Sequence, residues 1–193
     1  MNKTRIETFS DGVLAIIITI MVLEIKVPHE VNLQALIELF PIFTSYLMSF
    51  VFVGIYWVNH HHLFHTVKHV NGKILWANMG LLFALSMIPF STGWMGENHF
   101  AALPVAIYST NLLVCGFAAF LLQSAITAGL PKSDKIFEVI KRNMKKTIVS
   151  VLMNIISVVC AFFYPMISLL LTCVMAAIWI VPDRRIEKLM DDE

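Results

Sequence analysis

Residues 5–28 read RIETFSDGVLAIIITIMVLEIKVP, and they give the clearest indication of the fold. From Gly12 to Leu23 the run holds no charged side chain. Such a run is typical of a helix that crosses a bilayer, because a backbone in lipid must satisfy its hydrogen bonds within its own segment. Basic residues ahead of it are also typical of a secretory leader. The polar residues that follow, ending in Pro28, offer no small-residue cleavage site, so we expect a retained helix.

Composition extends this interpretation to the whole chain of 193 residues. It is 58% hydrophobic with a mean hydropathy of +0.77, and only 14% of its residues are charged. An ordinary soluble domain carries about 25% charged residues, so this chain cannot cover a water-soluble surface. The net charge of +1 indicates no nucleic-acid partner. We predict an all-α integral membrane protein.

Six stretches approach the roughly 20 residues that a spanning helix needs. We predict one transmembrane domain over residues 1–193, with spans at 12–27, 36–58, 74–95, 101–128, 147–164 and 166–181. Pro165 divides the last apolar block, which predicts a tight hairpin there.

Positive charge is concentrated on one side of the membrane that these predicted spans would cross. Thirteen of the 14 Lys and Arg residues fall on the side of the N-terminus, and Lys26 alone falls on the other. The positive-inside rule therefore predicts that both termini are cytoplasmic, in a multi-pass protein of the cell (plasma) membrane. Residues 132–146 lie on this inner side, as either a short interfacial amphipathic helix or a solvated loop.

The first span carries polar residues at its cytoplasmic edge. The Asp11 carboxylate needs a partner there, and Arg5 or a neighbouring histidine is the expected one. Alternatively, Ser10 or Asp11 caps a helix that begins near Gly12. Farther along, an aliphatic stripe at i, i+4 and i+7 has a threonine beside it, and by periodicity alone such a face is more often a packing or lipid contact than a pore lining.

These residues resemble a known family. The run Arg5-x-x-x-Phe9-Ser10-Asp11-Gly12-Val13-x-Ala15-Ile16-x-x-Thr19 is similar to the first-helix signature of the transmembrane-protein-175 potassium channels in their short prokaryotic form. Further matches are Trp57-x-x-His60, Leu63-Phe64, Asn78 and Pro89-Phe90.

The resemblance implies a homotetramer with one six-span repeat per chain, in which the first helix of each copy lines a central pore. By that match Ile16, Ile20 and Leu23 form the pore constriction, with Ile16 the narrowest ring, and Thr19 forms a selectivity layer. Phe9 belongs to the first-helix motif, and the polar network that fixes the first helix would comprise Arg5, Ser10, Asp11, Trp57, His60 and Asn78. One departure is Ile20-Met21, where the family pattern has two leucines.

The implied function is a potassium-preferring cation channel with a hydrophobic gate. The sequence has no Thr-Val-Gly-Tyr-Gly filter, so selectivity by carbonyl coordination is not expected. We expect no cofactor and no resident metal, with K⁺ only as the permeant ion. The implied partners are further copies of this chain, membrane lipid and monovalent cations.

Two other classes remain open. A secondary transporter would place a solute site at mid-membrane, although no internal repeat supports it. A histidine-liganded redox protein is suggested by five histidines between His60 and His69, some at i, i+4 spacing. The three cysteines show no paired spacing, and the sequence has no catalytic constellation, so we do not expect an enzyme.

Overall fold

The computed structural model describes residues 2–67, 69–131 and 135–180, and this part of the chain is helical. Its elements in chain order are α1 (Lys3–Leu23), α2 (Leu33–Glu38), α3 (Phe40–His65), α4 (Gly72–Ser86), α5 (Ile88–Glu97), α6 (Ala102–Thr127), α7 (Lys135–Phe163) and α8 (Pro165–Ile180).

Asparagine side chains begin three of these helices. Asn2 accepts a hydrogen bond from the backbone N–H of Thr4, so α1 starts near the N-terminus of the chain. Asn32 and Asn71 cap α2 and α4 in the same manner. Each such cap satisfies a backbone donor that the first helical turn leaves unpaired. The alternative that Ser10 or Asp11 caps a helix beginning near Gly12 is therefore wrong, because both residues lie within α1.

Prolines mark the other helix starts. Pro41, Pro89 and Pro165 stand in the first turn of α3, α5 and α8, where the missing N–H costs no helical hydrogen bond. Pro89 divides one apolar segment, Gly72–Glu97, into α4 and α5 at Met87. The hairpin predicted at Pro165 is present, with Tyr164 alone between α7 and α8.

Within the described residues, five helical segments are long and apolar enough to cross a membrane. They are Lys3–Leu23, Phe40–His65, Gly72–Glu97, Ala102–Thr127 and Ile136–Phe163. The sixth predicted span corresponds to α8, of which the described part has 16 residues, about 24 Å at 1.5 Å each. The all-helical membrane fold is confirmed, and the crossing by α8 stays a prediction.

Residues 132–146 were predicted as a solvated loop or a short interfacial helix, and the described part of this stretch has a different form. From Lys135 onward it is the start of α7, a 29-residue helix that continues to Phe163 without a break. The solvated-loop interpretation is therefore wrong for residues 135–146, and the amphipathic helix is the first part of a spanning helix. Residues 132–134 and five inner-side cations, Lys68, Lys132, Arg184, Arg185 and Lys188, lie outside the described residues.

Helix α6 is the centre of the bundle, in contact with α4, α5, α7 and α8. Helix α1 packs against α3, α4 and α5. Buried hydroxyls connect the helices around α6: Ser109 lies 3.0 Å from Ser168, and Ser168 lies 2.8 Å from Ser157. Small hydroxyl residues allow close helix approach in lipid, where the hydrophobic effect does not favour helix association.

Candidate functional site

Helix α1 has one buried face. Its members recur at helical spacing and are at most 4% exposed: Ile6, Ser10, Leu14, Ile17 and Met21. This stripe packs on α3, α4 and α5 and determines the rotation of α1 about its own axis.

The opposite face of α1 is left uncovered by the described part of the chain. Ile16 is 58% exposed, Ile20 42% and Leu23 78%. Phe9 is also exposed and lies two turns before Ile16, so it continues the same line toward the N-terminal end. The structure thus brings the residues predicted to form the constriction onto one free aliphatic stripe.

Thr19 is exposed beside this stripe. Its Oγ1 donates a hydrogen bond to the carbonyl oxygen of Ile16 at 2.9 Å. Since the single hydroxyl proton is held by the helix, the oxygen lone pairs remain available to a donor or a cation. The side chain therefore presents a fixed oxygen next to the aliphatic stripe.

Buried side chains on α3 and α4 form hydrogen bonds that fix the packed face of α1. The Asn78 amide of α4 donates from Nδ2 to Oγ of Ser10 at 3.0 Å, and its Oδ1 lies 2.8 Å from Nε2 of His60. Ser10 is 0% exposed, Asn78 1% and His60 6%. Because an amide oxygen only accepts, we assign the proton to Nε2 of His60. This group, Ser10, Asn78 and His60, is called the anchor below.

The Asp11 carboxylate has a different partner from the one expected. The indole Nε1 of Trp57 on α3 donates to its Oδ1 at 2.9 Å. Neither Arg5 nor a histidine makes this contact, so that expectation is wrong. An exposed carboxylate at the membrane edge keeps part of its hydration, and a neutral indole N–H is sufficient as a partner.

Two of the predicted first-helix residues, Arg5 and Phe9, lie outside the anchor. Arg5 is exposed, and in the part of the chain that the structure describes its side chain makes no hydrogen bond or ion pair. Phe9 belongs to the free stripe rather than to the anchor. Both positions point away from the partners of α1 within one chain, where a neighbouring copy could contact them.

Sequence reasoning missed the ionic contacts at both ends of α1. At the N-terminal end, Nζ of Lys3 lies 4.0 Å from the Glu7 carboxylate and donates to the carbonyl of His65 at 3.2 Å. At the other end, Lys26 pairs with Glu97 at 3.1 Å. Both pairs are partly exposed and each contributes about 0–1 kcal/mol. They constrain the position of the helix ends more than the stability of the fold.

The histidine cluster is divided by the geometry of α3. His60 faces inward to the anchor and stacks on Phe64, with 4.4 Å between ring centroids. His61 and His65 are exposed. Among the described residues, no three His, Cys, Asp or Glu side chains are placed to hold a metal. The structure therefore gives the redox alternative no ligand set in that part of the chain.

By architecture, the chain is a multi-pass helical membrane protein, and the described bundle leaves one aliphatic face of α1 uncovered. The family model described as endosomal/lysosomal potassium channel TMEM175 matches residues 5–89. A protein of Chryseobacterium sp. (strain P1-3) named potassium channel is 48% identical over 97% of this chain and 97% of its own. The chain belongs to the TMEM175 family, which is a family of channels and not of enzymes.

Two further comparisons extend this relationship. A solved structure titled as a lysosomal potassium-selective channel TMEM175 homolog from Chamaesiphon minutus has a TM-score of 0.84 and 26% identity, and covers 92% of this chain and 96% of its own. The Homo sapiens protein named endosomal/lysosomal proton channel TMEM175 is 36% identical over 45% of this chain and 19% of its own. The family model matches the part of the chain that contains the first-helix motif and Asn78.

Proposed function

We propose that this protein is a homotetrameric, potassium-preferring cation channel whose pore is lined by four copies of α1. The observation that carries the proposal is the uncovered aliphatic stripe of α1, which lies opposite a fully packed face. A single helix cannot enclose a pore, but identical stripes that face a common axis can. The potassium-channel names of relatives that match most of this chain support the same function.

Ile16 forms the narrowest ring in this proposal, with Ile20 and Leu23 as further apolar rings toward the other end of the helix. A ring of isoleucine side chains offers nothing that replaces the hydration shell of an ion. A narrow ring therefore loses its water and blocks the pore, whereas a wider ring passes partly hydrated ions. Gating is then a change in the radius of this ring.

The preference for potassium is assigned to Thr19. Its hydroxyl oxygen, held in place by the bond to Ile16, is a neutral ligand close to the constriction. A layer of single hydroxyls replaces less of the hydration shell than rings of backbone carbonyls do. We therefore expect a modest preference of K⁺ over Na⁺.

The remaining predicted site residues position α1. Ser10, Asn78 and His60 hold its inner half, and Asp11 is held by Trp57. Arg5 and Phe9 are assigned to contacts between neighbouring copies, because both are exposed within one chain.

The proposed topology has six spans in a single domain of residues 1–193, with α8 as the sixth. Both termini are cytoplasmic and the channel lies in the cell membrane, as the charge asymmetry of the sequence predicts. The membrane partner is lipid, and K⁺ is the permeant ion rather than a cofactor.

Flux through liposomes tests the function. Purified protein reconstituted with a potassium gradient should pass K⁺ faster than protein-free liposomes, and equal rates would refute the channel. The matched pair Ile16→Asn and Ile156→Asn tests the pore position, because the two isoleucines are 58% and 55% exposed but Ile156 lies on α7.

A polar ring at Ile16 holds water, so Ile16→Asn should raise the flux several-fold, while Ile156→Asn should leave it near wild type. Equal flux in both variants would place the pore elsewhere. Chemical cross-linking in lipid, with the tetramer as the expected largest product, checks the assembly separately.

A further inference from the structure

One face of α7 carries basic side chains near its N-terminal end and aliphatic side chains farther along. Lys141 and Lys145 are exposed and stand one turn apart, and Arg142 is exposed beside them. At the helical spacing of three and four residues, the same face continues with Ile148 and Leu152, which are 45% and 55% exposed. We call these five residues the α7 face.

The apolar part of α7 has nearly the length of the hydrocarbon core of a bilayer. Residues 147–163 contain no charged side chain and extend about 26 Å, against about 30 Å for the core. Phe163 and Tyr164 are exposed at the far end, where aromatic side chains are typical of the membrane surface. Counted from residue 147, Lys145 lies about 3 Å and Lys141 about 9 Å farther along the helix axis. This is the depth of the lipid headgroups.

The three cations of the α7 face have no acidic partner in the described part of the chain. The side chains of Lys141, Arg142 and Lys145 form no ion pair or hydrogen bond with any described residue. Glu138 is exposed one turn earlier and forms no ion pair with them. Nζ of Lys141 lies 5.7 Å from the centre of the Phe137 ring, one turn closer to the aqueous end of α7. The positive charge of this face is therefore available to an anion from outside.

The next lysine along α7 behaves differently. Nζ of Lys146 lies 4.3 Å from the centre of the Trp179 ring on α8, and the indole of Trp179 donates to Ser150. A cation above an aromatic ring is attracted by the negative face of that ring. Lys146 is thus held within the protomer, and the site does not include it.

Charge and packing together indicate what covers the α7 face. A second copy packed on it face to face would bring the same cations together, and like charges repel. Helix α7 packs on α6 and α8, whereas α1, which carries the uncovered stripe, packs on α3, α4 and α5. A lipid covers the aliphatic part of such a face in a bilayer, and an acidic lipid also brings negative charge to the depth of the cations.

We propose that the α7 face binds a phospholipid with a net negative headgroup, of the phosphatidylglycerol class. Lys141, Arg142 and Lys145 hold the headgroup phosphate, and an acyl chain packs along Ile148 and Leu152. The guanidinium of arginine can donate to two phosphate oxygens at once, and each lysine ammonium adds a charged donor. A zwitterionic phospholipid fits less well, because its own ammonium group cancels the charge of its phosphate.

Photolabelling of the full chain in lipid nanodiscs tests the site. The probe is phosphatidylglycerol with a diazirine on its acyl chain, compared with phosphatidylcholine that carries the same group, and labelled peptides are identified by mass spectrometry. Phosphatidylglycerol should label residues 147–159 more strongly than phosphatidylcholine does. High salt should reduce this preference, because salt screens exposed charges.

Single variants with a matched control test the charge. A basic side chain near an anionic lipid surface contributes about fivefold to binding, so Lys145→Gln should lower phosphatidylglycerol labelling of α7 by about that factor. Lys145→Arg keeps the charge and should keep the labelling. Lys73→Gln is the control, because Lys73 is exposed in the first turn of α4, and this variant should leave the labelling of α7 unchanged.

A triple variant removes the whole basic part of the face. Lys141→Gln, Arg142→Gln and Lys145→Gln together should lower phosphatidylglycerol labelling of α7 to the level of phosphatidylcholine. Equal labelling by the two lipids in wild type, or full phosphatidylglycerol labelling in the triple variant, would overturn the proposal. If the triple variant fails to fold, the comparison of lipids in wild type and Lys145→Gln still decide.

Two other results would assign the face to a different occupant and overturn the proposal. Displacement of the labelled lipid by soluble glycerophosphate would show a site for free phosphate. Protection of α7 from both lipids would show that a neighbouring copy covers it.

This lipid site does not depend on ion conduction. A protein whose α7 prefers phosphatidylglycerol but which passes no potassium would refute the proposed channel and leave the lipid site intact. A conducting protein without this preference would do the reverse.

Discussion

Replacing Asn78 with leucine should loosen α1 from its bundle. Asn78 is 1% exposed and is the only side chain in the described structure that bonds both Ser10 of α1 and His60 of α3. Leucine has nearly the same shape, so Asn78→Leu removes both hydrogen bonds without leaving a large cavity. It leaves the Ser10 hydroxyl and the Nε2 proton of His60 without this partner.

The expected loss follows from these two bonds. A hydrogen bond between helices in lipid contributes about 0.6 kcal/mol on average and about 1.7 kcal/mol at most. Two bonds therefore give a loss of about 1–3 kcal/mol in the free energy of unfolding, with the upper end expected because all three residues are buried. Ser10→Ala removes one of the two bonds and should cost about half as much.

Unfolding of the purified protein in mixed micelles, followed by circular dichroism as the denaturing detergent is increased, measures this loss. Ser86→Ala is the matched control, because Ser86 is an exposed α4 serine that bonds only to its own helix, at Phe83. The double variant Ser10→Ala with Asn78→Leu should be less destabilised than the sum of the singles, since the two residues share a bond. Wild-type stability in Asn78→Leu, or strict additivity in the double variant, would refute the anchor.

Three further outcomes are expected. A Cβ at Gly96 would overlap Ser45 and lie 2.8 Å from Cα of Ile42, so Gly96→Ala should lower the free energy of unfolding by about 1–3 kcal/mol in the same assay. The control Gly80→Ala, whose Cβ would have nothing within 4 Å, should not destabilise the protein. Equal stability of the two variants would show that α3 and α5 are not in close contact. Thr19→Val should shift the bi-ionic reversal potential toward equal K⁺ and Na⁺ permeability, and an unchanged potential would remove Thr19 from the ion path. Trp57→Phe should leave Asp11 without its indole donor and lower stability by about 0.5–1.5 kcal/mol; no change would show that water replaces the indole fully.

Much of the fold could be predicted from residue order. Apolar runs predicted the helices because a backbone in lipid has no other means of satisfying its hydrogen bonds. The ends of these helices were less predictable. Helix α1 begins at Lys3 rather than near Gly12 because Asn2, outside the apolar run, supplies the cap. The polar residues after Lys135 were not expected to join the fifth span, but an amphipathic segment continues there directly into an apolar one within α7.

The candidate site was also predictable from the sequence only in part. The spacing of Ile16, Ile20 and Leu23 predicted a shared face, and the structure leaves that face uncovered. Spacing could not assign the partner of Asp11, because Trp57 is 46 residues away in sequence and only the packing of α1 on α3 brings the two together. A cavity between α3, α6, α7 and α8 had no sequence signal, since its walls come from helices distant along the chain.

The sequence by itself determined a helical membrane protein, the distribution of its charges and the first-helix motif, because these depend on local composition and on transfer of single segments into lipid. Only the packed structure shows which face of α1 stays free and which amide joins Ser10 to His60. Those features depend on contacts between helices, and a contact between helices is a property of the packed bundle rather than of any one segment.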